Sequence, residues 1–220
     1  MLVEKSEKRY ILLDKSETNA VVGLRGRSQQ MSLMQGRAER FTERLPDDGV
    51  KLKELIVYIS SKCQDDPAFG AVKLNKILFR ADFQAYRLRG SPVTGAAYFR
   101  LKHGPAPKAM MPIMRELHED EAVRTQRRMV GAREQKRPIA LRPANLKHFS
   151  GEDIAIVDSV IDDLWGKPAI TVSAESHGIQ WQTRGDKDII PYEAAWLSDE
   201  PVTADDKERA SELVRELQIA

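Results

Sequence analysis

The stretch AVKLNKILFRADFQAYRLRG, residues 71–90, decides the fold because it is apolar on two sides when it is wound into a helix. At about 100° per residue, the apolar residues of one side fall within an arc about 100° wide. The members of that arc are Leu74, Ile77, Leu78, Ala81, Ala85 and Leu88, and the second arc, roughly opposite, holds Phe79, Phe83 and Tyr86. A helix with two apolar sides is typical of a central position between neighbouring elements. We therefore predict a buried central helix over residues 71–89 that ends at Gly90, a residue suited to a helix C-terminus.

Polar residues of the same stretch occupy two further faces. One narrow face, which we call the basic ridge, consists of Lys73, Lys76, Arg80 and Arg87. The pattern alone favours a solvated surface for this ridge. Asn75 and Asp82 lie together between the two apolar arcs. If they are buried they need hydrogen-bond partners, whereas at a seam they would bond the local backbone.

The segments around this helix are also predicted to be mostly helical. KLKELIVYISSKC, residues 51–63, has apolar residues at helical spacing, and we interpret its Cys63 as a small core residue rather than a nucleophile. In FSGEDIAIVDSVIDDLWG, Ser150 and Asp153 form a capping-box pattern at the start of another helix. A last helix is expected from Thr203.

Two short segments predict strands. AAYFRLK, residues 96–102, alternates weakly and indicates a short strand. AVRTQRRMVGAREQKRPIALRP, residues 122–143, is typical of a β-hairpin that turns around residues 131–135. The predicted class is α+β and mainly α-helical: a compact helical domain with a short strand and a basic β-hairpin.

Residues 1–48 differ from the rest of the chain. They are polar apart from one short apolar cluster, so we predict a polar, poorly ordered N-terminal extension followed by one domain over residues 49–220. An alternative is that the extension includes translated sequence upstream of a natural start at Met31 or Met34.

Charge is distributed unevenly although the net charge is only +2. Residues 124–147 contain many bases and a single acid, Glu134. The bases are Arg124, Arg127, Arg128, Arg133, Lys136, Arg137, Arg142 and Lys147. Such a cluster indicates either a solvated hairpin or a surface that faces an anionic partner, including nucleic acid phosphates.

The stretch RLKHGPAP, residues 100–107, has the composition of a ligand loop, a metal site or a rigid corner. The four histidines are His103, His118, His148 and His177, and their spacing matches no zinc pattern. Pro105 and Pro107 fix the backbone and oppose strand pairing, so we interpret the stretch as a rigid corner between a strand and a helix.

Several function classes lack support in the sequence. There is no phosphate-binding glycine loop and no nucleophile-elbow pattern. We therefore predict that the protein is not an enzyme, binds no metal and needs no cofactor. No apolar run is long enough to span a bilayer, and the lone cysteine fits a reducing cytoplasm. The expected location is cytoplasmic, without a membrane partner.

Several motifs, taken in order, resemble those of one known family, the Panacea domain or SocA-like antitoxin family. VKLNKILFRADFQAYRLRG is similar to the family's K-L-x-K helix that ends in an Ala-Asp pair, and HGPAP is similar to its (H/Y)-G-P-x-P corner. FSGEDIAIVDSVIDDLWG resembles its F-S-x-x-E helix, and SHGIQWQ with IIPYEAA resembles its S-H…W…I-P-Y-E segment. The resemblance covers roughly residues 50–200. The motif positions are Lys73, Leu74, Lys76, Leu78, Ala81, Asp82, His103, Gly104, Pro105, Pro107, Ser176, His177, Trp181, Pro191, Tyr192 and Glu193.

The resemblance implies an antitoxin of a bacterial, prophage-associated toxin–antitoxin system that neutralises a cognate protein toxin by direct contact. It also implies, for some members, an adaptor role that delivers the toxin to a Clp-type protease. The alternative hypothesis is a nucleic-acid-binding protein or operon regulator that uses the basic hairpin within residues 124–147.

We hypothesise that partner binding involves the ridge, the corner and the hairpin. The candidate partner-binding residues are Lys73, Lys76, Arg80, Lys102, His103, Arg127 and Arg128. The residues assigned to the structural motif are Asp82, Gly104, Pro105, Pro107, His177, Trp181, Pro191, Tyr192 and Glu193.

Overall fold

A computed structural model describes residues 49–130, 132–197 and 203–216. The helices are α1 Val50–Lys62, α2 Ala71–Arg89, α3 Met110–Glu119, α4 Gly151–Leu164, α5 Ala169–Glu175, α6 Ile179–Gln182 and α7 Ala204–Glu216. Two 3-10 turns cover Leu146–His148 and Tyr192–Trp196. The strands are β1 Tyr98–Phe99, β2 Ala106–Pro107, β3 Val123–Val130, β4 Arg133–Ala140 and β5 Ile189–Ile190. The mainly α-helical, α+β class predicted from the sequence is confirmed.

The chain divides into two compact units. Residues 37–199 form one unit and contain every described element from α1 to the second 3-10 turn. Helix α7 belongs to the other unit, and it begins next to Thr203 as its sequence predicts. The predicted extension over residues 1–48 lies outside the described residues.

Helix α2 is the central element of the larger unit, as its two apolar arcs predict. It contacts α1, α4, α5 and the second 3-10 turn. Both arcs are buried: Ile77 and Leu78 on one side and Phe79 and Phe83 on the other are at most 5% exposed. Leu88 is the exception, because it lies in the last turn and remains 65% exposed. The helix ends at Gly90, whose positive φ of 72° is the left-handed conformation that a glycine C-cap adopts without strain.

The neighbouring helices follow their sequence signals closely. In α1, Cys63 is 1% exposed, and burial raises the pKa of its thiol to about 12, which confirms a core role. Helix α4 begins with the predicted capping box, in which Ser150 Oγ accepts from the Asp153 amide while Asp153 accepts from the Ser150 amide. Pro112 lies in the first turn of α3, where a proline is tolerated.

Two small antiparallel sheets complete the unit. One has the order β2–β1–β5, and the other is the predicted hairpin of β3 and β4. Tyr98 is opposite Pro107 in β2 and Ile190 in β5. The prediction that the prolines prevent strand pairing was therefore wrong. The corner folds back on β1, and a proline is acceptable at the outer edge of so short a ladder.

No helix among the described residues is long and apolar enough to cross a bilayer.

Candidate functional site

The corner at residues 103–107 is shaped around a glycine. Gly104 has a φ of +89°, a backbone conformation that other residues rarely adopt. A Cβ atom at this position would lie 2.2 Å from Ser176 Oγ and 2.6 Å from Lys76 Nζ. The backbone conformation and the lack of space both require glycine here.

Lys76 lies beneath this corner and supports it. The residue is 2% exposed, and its Nζ donates to the carbonyl oxygen of Pro105 at 2.8 Å. Among the described residues, no carboxylate lies within ion-pair distance of this amine. Burial in apolar surroundings therefore lowers the pKa of Lys76 to about 7, because the charged form loses its hydration. The corner is held by a lysine that is partly neutral at physiological pH.

Helices α5 and α6 fasten the corner from the other side. Ser173 Oγ donates to the His103 carbonyl oxygen at 2.8 Å, and Trp181 Nε1 donates to the Leu101 carbonyl oxygen at 2.9 Å. These bonds join residues 70 and 80 positions apart in sequence, which explains why neither was found from local patterns. Ser176 lies against Gly104 of the HGPAP motif, and Trp181 is bonded to Leu101 just before it. Motifs that are far apart in sequence are therefore neighbours in the folded protein.

Trp181 is the centre of a small cationic cluster. The His177 ring stacks on it with centroids 3.9 Å apart, and the Arg100 guanidinium lies 4.0 Å from the Trp181 ring centroid. Burial, then the nearby positive charges of Lys76, Arg100 and His103, lower the pKa of His177. The histidine is therefore held in its neutral form, which suits stacking on an aromatic ring.

Asp82 organises the opposite side of α2. It is fully buried and accepts hydrogen bonds from the Thr94 amide and the Tyr98 hydroxyl, each at 2.6 Å. Burial raises the pKa of Asp82, while the bonds from Thr94 and Tyr98 act in the opposite direction. Tyr192, whose hydroxyl donates to the Ala96 carbonyl oxygen at 2.6 Å, lies 3.4 Å from Asp82. Asp82 thus links the central helix to β1 and to the second 3-10 turn.

The remaining motif residues lie in that same 3-10 turn. Pro191 immediately precedes the turn. Glu193 accepts a hydrogen bond from the Tyr86 hydroxyl at 3.0 Å, which attaches the turn to the C-terminal half of α2.

The expectation that the basic ridge is a solvated face was wrong for its two lysines, although Arg87 is exposed. Lys73 is completely buried, and its Nζ lies 2.7 Å from Asp66 Oδ2 and 3.0 Å from the Leu164 carbonyl oxygen. With Lys76 buried beneath the corner, neither lysine is available to a partner in the folded protein. Arg80 is partly exposed and forms an ion pair with Asp163 at 2.6 Å. The physical reason is that the loop before α2, the end of α4 and the corner cover the side of α2 that carries the two lysines.

Three arginines of the basic cluster likewise have structural roles. Arg137 is 5% exposed and donates to the carbonyl oxygens of Cys63 and Asp66, which stabilises the C-terminus of α1. Arg128 bonds Gln135 and the Pro67 carbonyl oxygen, and Arg142 forms a bidentate pair with Glu54. These contacts attach the hairpin to α1 and to the loop that follows it. Arg128, a candidate for partner binding, is largely occupied by this contact.

The rest of the hairpin is exposed. Four bases, Arg124, Arg127, Arg133 and Lys136, have exposed side chains. Arg127 makes one long contact, 3.6 Å, with Glu134. Met129 and Val130 are neighbours in sequence and are 66% and 51% exposed beside the turn, so they add apolar surface next to the exposed bases. The sequence shows this signal as two apolar residues at the end of an arginine-rich strand, and the site prediction did not include them.

The structure gives two separate sets of candidate partner-binding residues. Lys102 and His103 are exposed at the corner, whereas Arg127 is exposed on the hairpin. Across the described ranges, no hydrogen bond or ion pair joins residues 100–108 to residues 123–140. An open groove of about 690 Å³ lies beside the base of the hairpin and is lined by His118, Glu121, Leu141 and the first three residues of β3.

In the described residues, the arrangement consists of a fastened corner and a separate hairpin with an exposed end. Within the part of the chain that the structure describes, no three histidine, cysteine or acidic side chains converge in a way that would hold a metal ion. Of the buried polar groups, Lys76 and Asp82 hold the corner and the central helix, whereas Asn75 Oδ1, Arg100 Nε and His177 Nε2 are buried without a hydrogen-bond partner among the described residues.

Comparison with known proteins gives one match. The family model for the antitoxin SocA-like, Panacea domain matches residues 74–182, about half of the chain. The matched region contains α2 from its fourth residue onward, the corner, the hairpin and the α5–α6 segment. It leaves out the Pro191–Glu193 motif. Neither the curated proteins nor the solved structures include a match. Over residues 74–182 the chain therefore belongs to the antitoxin SocA-like, Panacea domain family.

Proposed function

We propose that this protein is a cytoplasmic antitoxin that neutralises a cognate protein toxin by direct binding, and that the exposed end of the β3–β4 hairpin is its principal contact surface. The observation that supports this proposal is the combination of exposed Arg127 and Lys136 with exposed Met129 and Val130. Arginine and methionine are enriched in protein interfaces, and apolar groups bordered by charges are typical of docking surfaces. Membership of an antitoxin family makes a protein toxin the expected partner.

The hairpin is also held rigidly enough to act as a binding element. Arg137 and Arg128 fix its inner face to residues 63–69, so its exposed end does not have to be ordered when a partner binds. A preorganised surface loses less conformational entropy on association. Lys102 and His103 remain a second, separate candidate contact at the corner.

The direct test is co-expression of the protein with the product of the neighbouring gene, with cell growth as the readout. We expect the neighbouring product to be lethal alone and harmless with the wild-type protein. Arg127→Glu should abolish rescue, because it places a negative charge in the middle of the exposed surface. Arg115→Glu is the matched control, since Arg115 is exposed on α3 and lies outside the hairpin.

Several results would contradict the proposal. A harmless neighbouring product, or one that remains lethal beside the wild-type protein, removes the antitoxin assignment. Full rescue by Arg127→Glu excludes the hairpin surface, and loss of rescue by Lys102→Glu alone would assign the contact to the corner.

The adaptor role is tested separately by following toxin abundance. We propose that the bound toxin is delivered to a Clp-type protease, so its half-life should fall when the antitoxin and the protease are both present. An unchanged toxin half-life in the presence of a rescuing antitoxin would show neutralisation by binding alone.

Operon regulation is the second candidate function. Four exposed bases on one hairpin are a suitable contact for phosphates, and such binding weakens steeply with salt. A mobility shift with the protein's own promoter tests it. Retardation that Lys136→Glu abolishes and Arg115→Glu leaves intact supports it, whereas no retardation at low salt excludes it.

A further inference from the structure

The outer edge of β3 is open to another strand. In the part of the chain that the structure describes, β3 is paired with β4 and with no other strand. In an antiparallel pair of strands, only alternate residues form backbone hydrogen bonds with the partner strand. The amides and carbonyls of the other β3 residues therefore point away from β4. Near the base, His118 Nε2 lies 3.0 Å from Thr125 Oγ1. Among the described residues, no backbone hydrogen bond occupies the outer edge over residues 126–130.

The other strand of the hairpin is covered. A Cβ at Gly70 would lie 2.8 Å from Gln135 Cγ and 3.2 Å from the Lys136 carbonyl oxygen, so β4 contacts the beginning of α2 closely. Arg137 is bonded to residues 63–69. Strand addition to this hairpin is therefore restricted to β3.

The charge of β3 determines which strand it accepts. The sequence VRTQRRMV contains three arginines and no acid. If two copies of β3 paired edge to edge, arginines would lie opposite or diagonal to arginines, and like charges at those positions are destabilising. Charged side chains on an edge strand are a common protection against self-association. A segment rich in acidic residues meets no such repulsion.

We propose that residues 126–130 of β3 bind an extended acidic segment of the partner protein as a third strand of the hairpin. The inference rests on the proposed antitoxin function for the identity of that partner, which is the toxin. Main-chain hydrogen bonds supply affinity in this kind of recognition, and alternate side chains supply specificity. The groove at the base of the hairpin is lined in part by Thr125, the residue that immediately precedes residues 126–130.

The side-chain order of β3 specifies the segment further. Arg127 and Met129 lie on one face of the ribbon because they are two residues apart, opposite Lys136 and Glu134 of β4. An incoming strand should present an acidic residue opposite Arg127 and an apolar residue opposite Met129. The recognised pattern is therefore acid-x-apolar in a strand parallel to β3 and apolar-x-acid in an antiparallel one, with the intervening residue on the other face.

The test uses the full-length protein and a synthetic peptide. The peptide carries glutamate, valine and glutamate at successive alternate positions, with threonine at the positions between them. We expect the peptide to bind and to protect amides within residues 126–130 from hydrogen exchange. Two N-methylated versions carry methyl groups on one or the other set of alternate amides. One version should lose about tenfold or more in affinity because its bonding edge is blocked, and the other should bind like the parent.

Substitutions on the protein provide the second arm. Arg127→Glu should weaken peptide binding about tenfold or more, whereas the surface control Arg115→Glu should leave it unchanged. Equal binding of both N-methylated peptides would show charge attraction without strand addition and would overturn the proposal.

Other occupants of the edge give distinct results. Protection of residues 126–130 that rises with protein concentration, without peptide, identifies a second copy. Protection at every concentration identifies a segment of this chain. Protection by a DNA duplex but not by the peptide identifies nucleic acid. Each of these three results overturns the proposal. The peptide assay needs no toxin, so a failure of growth rescue with intact peptide binding would remove the antitoxin function and leave the strand-binding edge.

Discussion

Lys73 and Lys76 lie one turn apart on the same helix, and both are buried, but their surroundings differ in kind. Lys73 has a carboxylate partner, Asp66, and a carbonyl partner, Leu164. Lys76 has the carbonyl oxygen of Pro105 and no acid within ion-pair distance among the described residues. Burial of a charge is costly unless it is paired and hydrogen-bonded. The first environment pairs the amine with a carboxylate, whereas burial in the second lowers the pKa of Lys76 to about 7.

The comparison separates two uses of a buried amine. At Asp66, the ion pair joins the loop after α1 to α2, and Lys73 also contacts the end of α4. If either partner is removed, the other is left as a buried charge without a counter-ion. At the corner, the amine supports a backbone turn that leaves no space for a side chain at Gly104. A charge that is not balanced by an acid responds to pH, and a paired one resists it.

The largest expected effect is that of Lys73→Met. The substitution leaves Asp66, which is 1% exposed, without its counter-ion, and removal of one partner of a buried pair typically costs about 3–5 kcal/mol. The free energy of unfolding, measured by urea denaturation at neutral pH, should fall by that amount.

The matched variants for this prediction are Arg87→Met and the double substitution Lys73→Met with Asp66→Asn. Arg87 is exposed on the same helix, so its replacement should change the unfolding free energy by less than about 0.5 kcal/mol. The double variant should recover part of the loss, since no unpaired charge remains. If Lys73→Met alone is as stable as the wild type, the pair contributes nothing to the fold.

Lys76→Met should change the pH dependence of stability. The folded pKa, about 7, is below the ordinary value of 10.5, so the unfolded chain binds more protons between these two values. The contribution of Lys76 to the free energy of unfolding of the wild type therefore rises with pH across that window. It is lowest below pH 7. Between pH 6 and pH 9 the wild type should gain on the order of 2–3 kcal/mol relative to Lys76→Met.

The measurement is urea denaturation of both proteins at intervals over that pH range. The subtraction cancels the titration of groups that Lys76 does not influence, and His177 is an exception because the charge of Lys76 lowers its pKa. A constant difference between the two curves would show that Lys76 keeps an ordinary pKa. The methionine is close in volume to the lysine stem, so the corner should remain supported from below.

The two lysines also show what the sequence could and could not provide. The apolar arcs of α2 predicted a central helix because hydrophobic periodicity is local and is visible in a single helix. The same periodicity placed Lys73 and Lys76 on one face, but it contains no information on which element covers that face. Asp66, Leu164 and Pro105 approach from three different parts of the chain, and only the tertiary structure brings them together.

The motif resemblance predicted more than periodicity did, although it did not assign physical roles. It singled out Gly104, His177 and Trp181, and the structure shows the contacts that connect them through the corner. The exposed Met129 and Val130 were not predicted, because two apolar residues at the end of an arginine-rich strand do not by themselves indicate whether a neighbouring element covers them.

Arg80 is the third member of the ridge within these turns and should show the smallest effect. Its pair with Asp163 is short, 2.6 Å, but the side chains are 37% and 49% exposed. Solvent screens such a pair, so Arg80→Met should lower the free energy of unfolding by less than about 1 kcal/mol, and high salt should reduce the difference further. The charge of Arg80 lowers the pKa of Asp163, and the substitution should move that pKa back toward its ordinary value. Carbon-detected NMR titration of Asp163 measures the change directly.

If Arg80→Met lowered the free energy of unfolding as much as Lys73→Met, the exposed pair would be as important to the fold as the buried one. That result would contradict the view that burial, rather than ion-pair distance, determines how much a pair stabilises the protein.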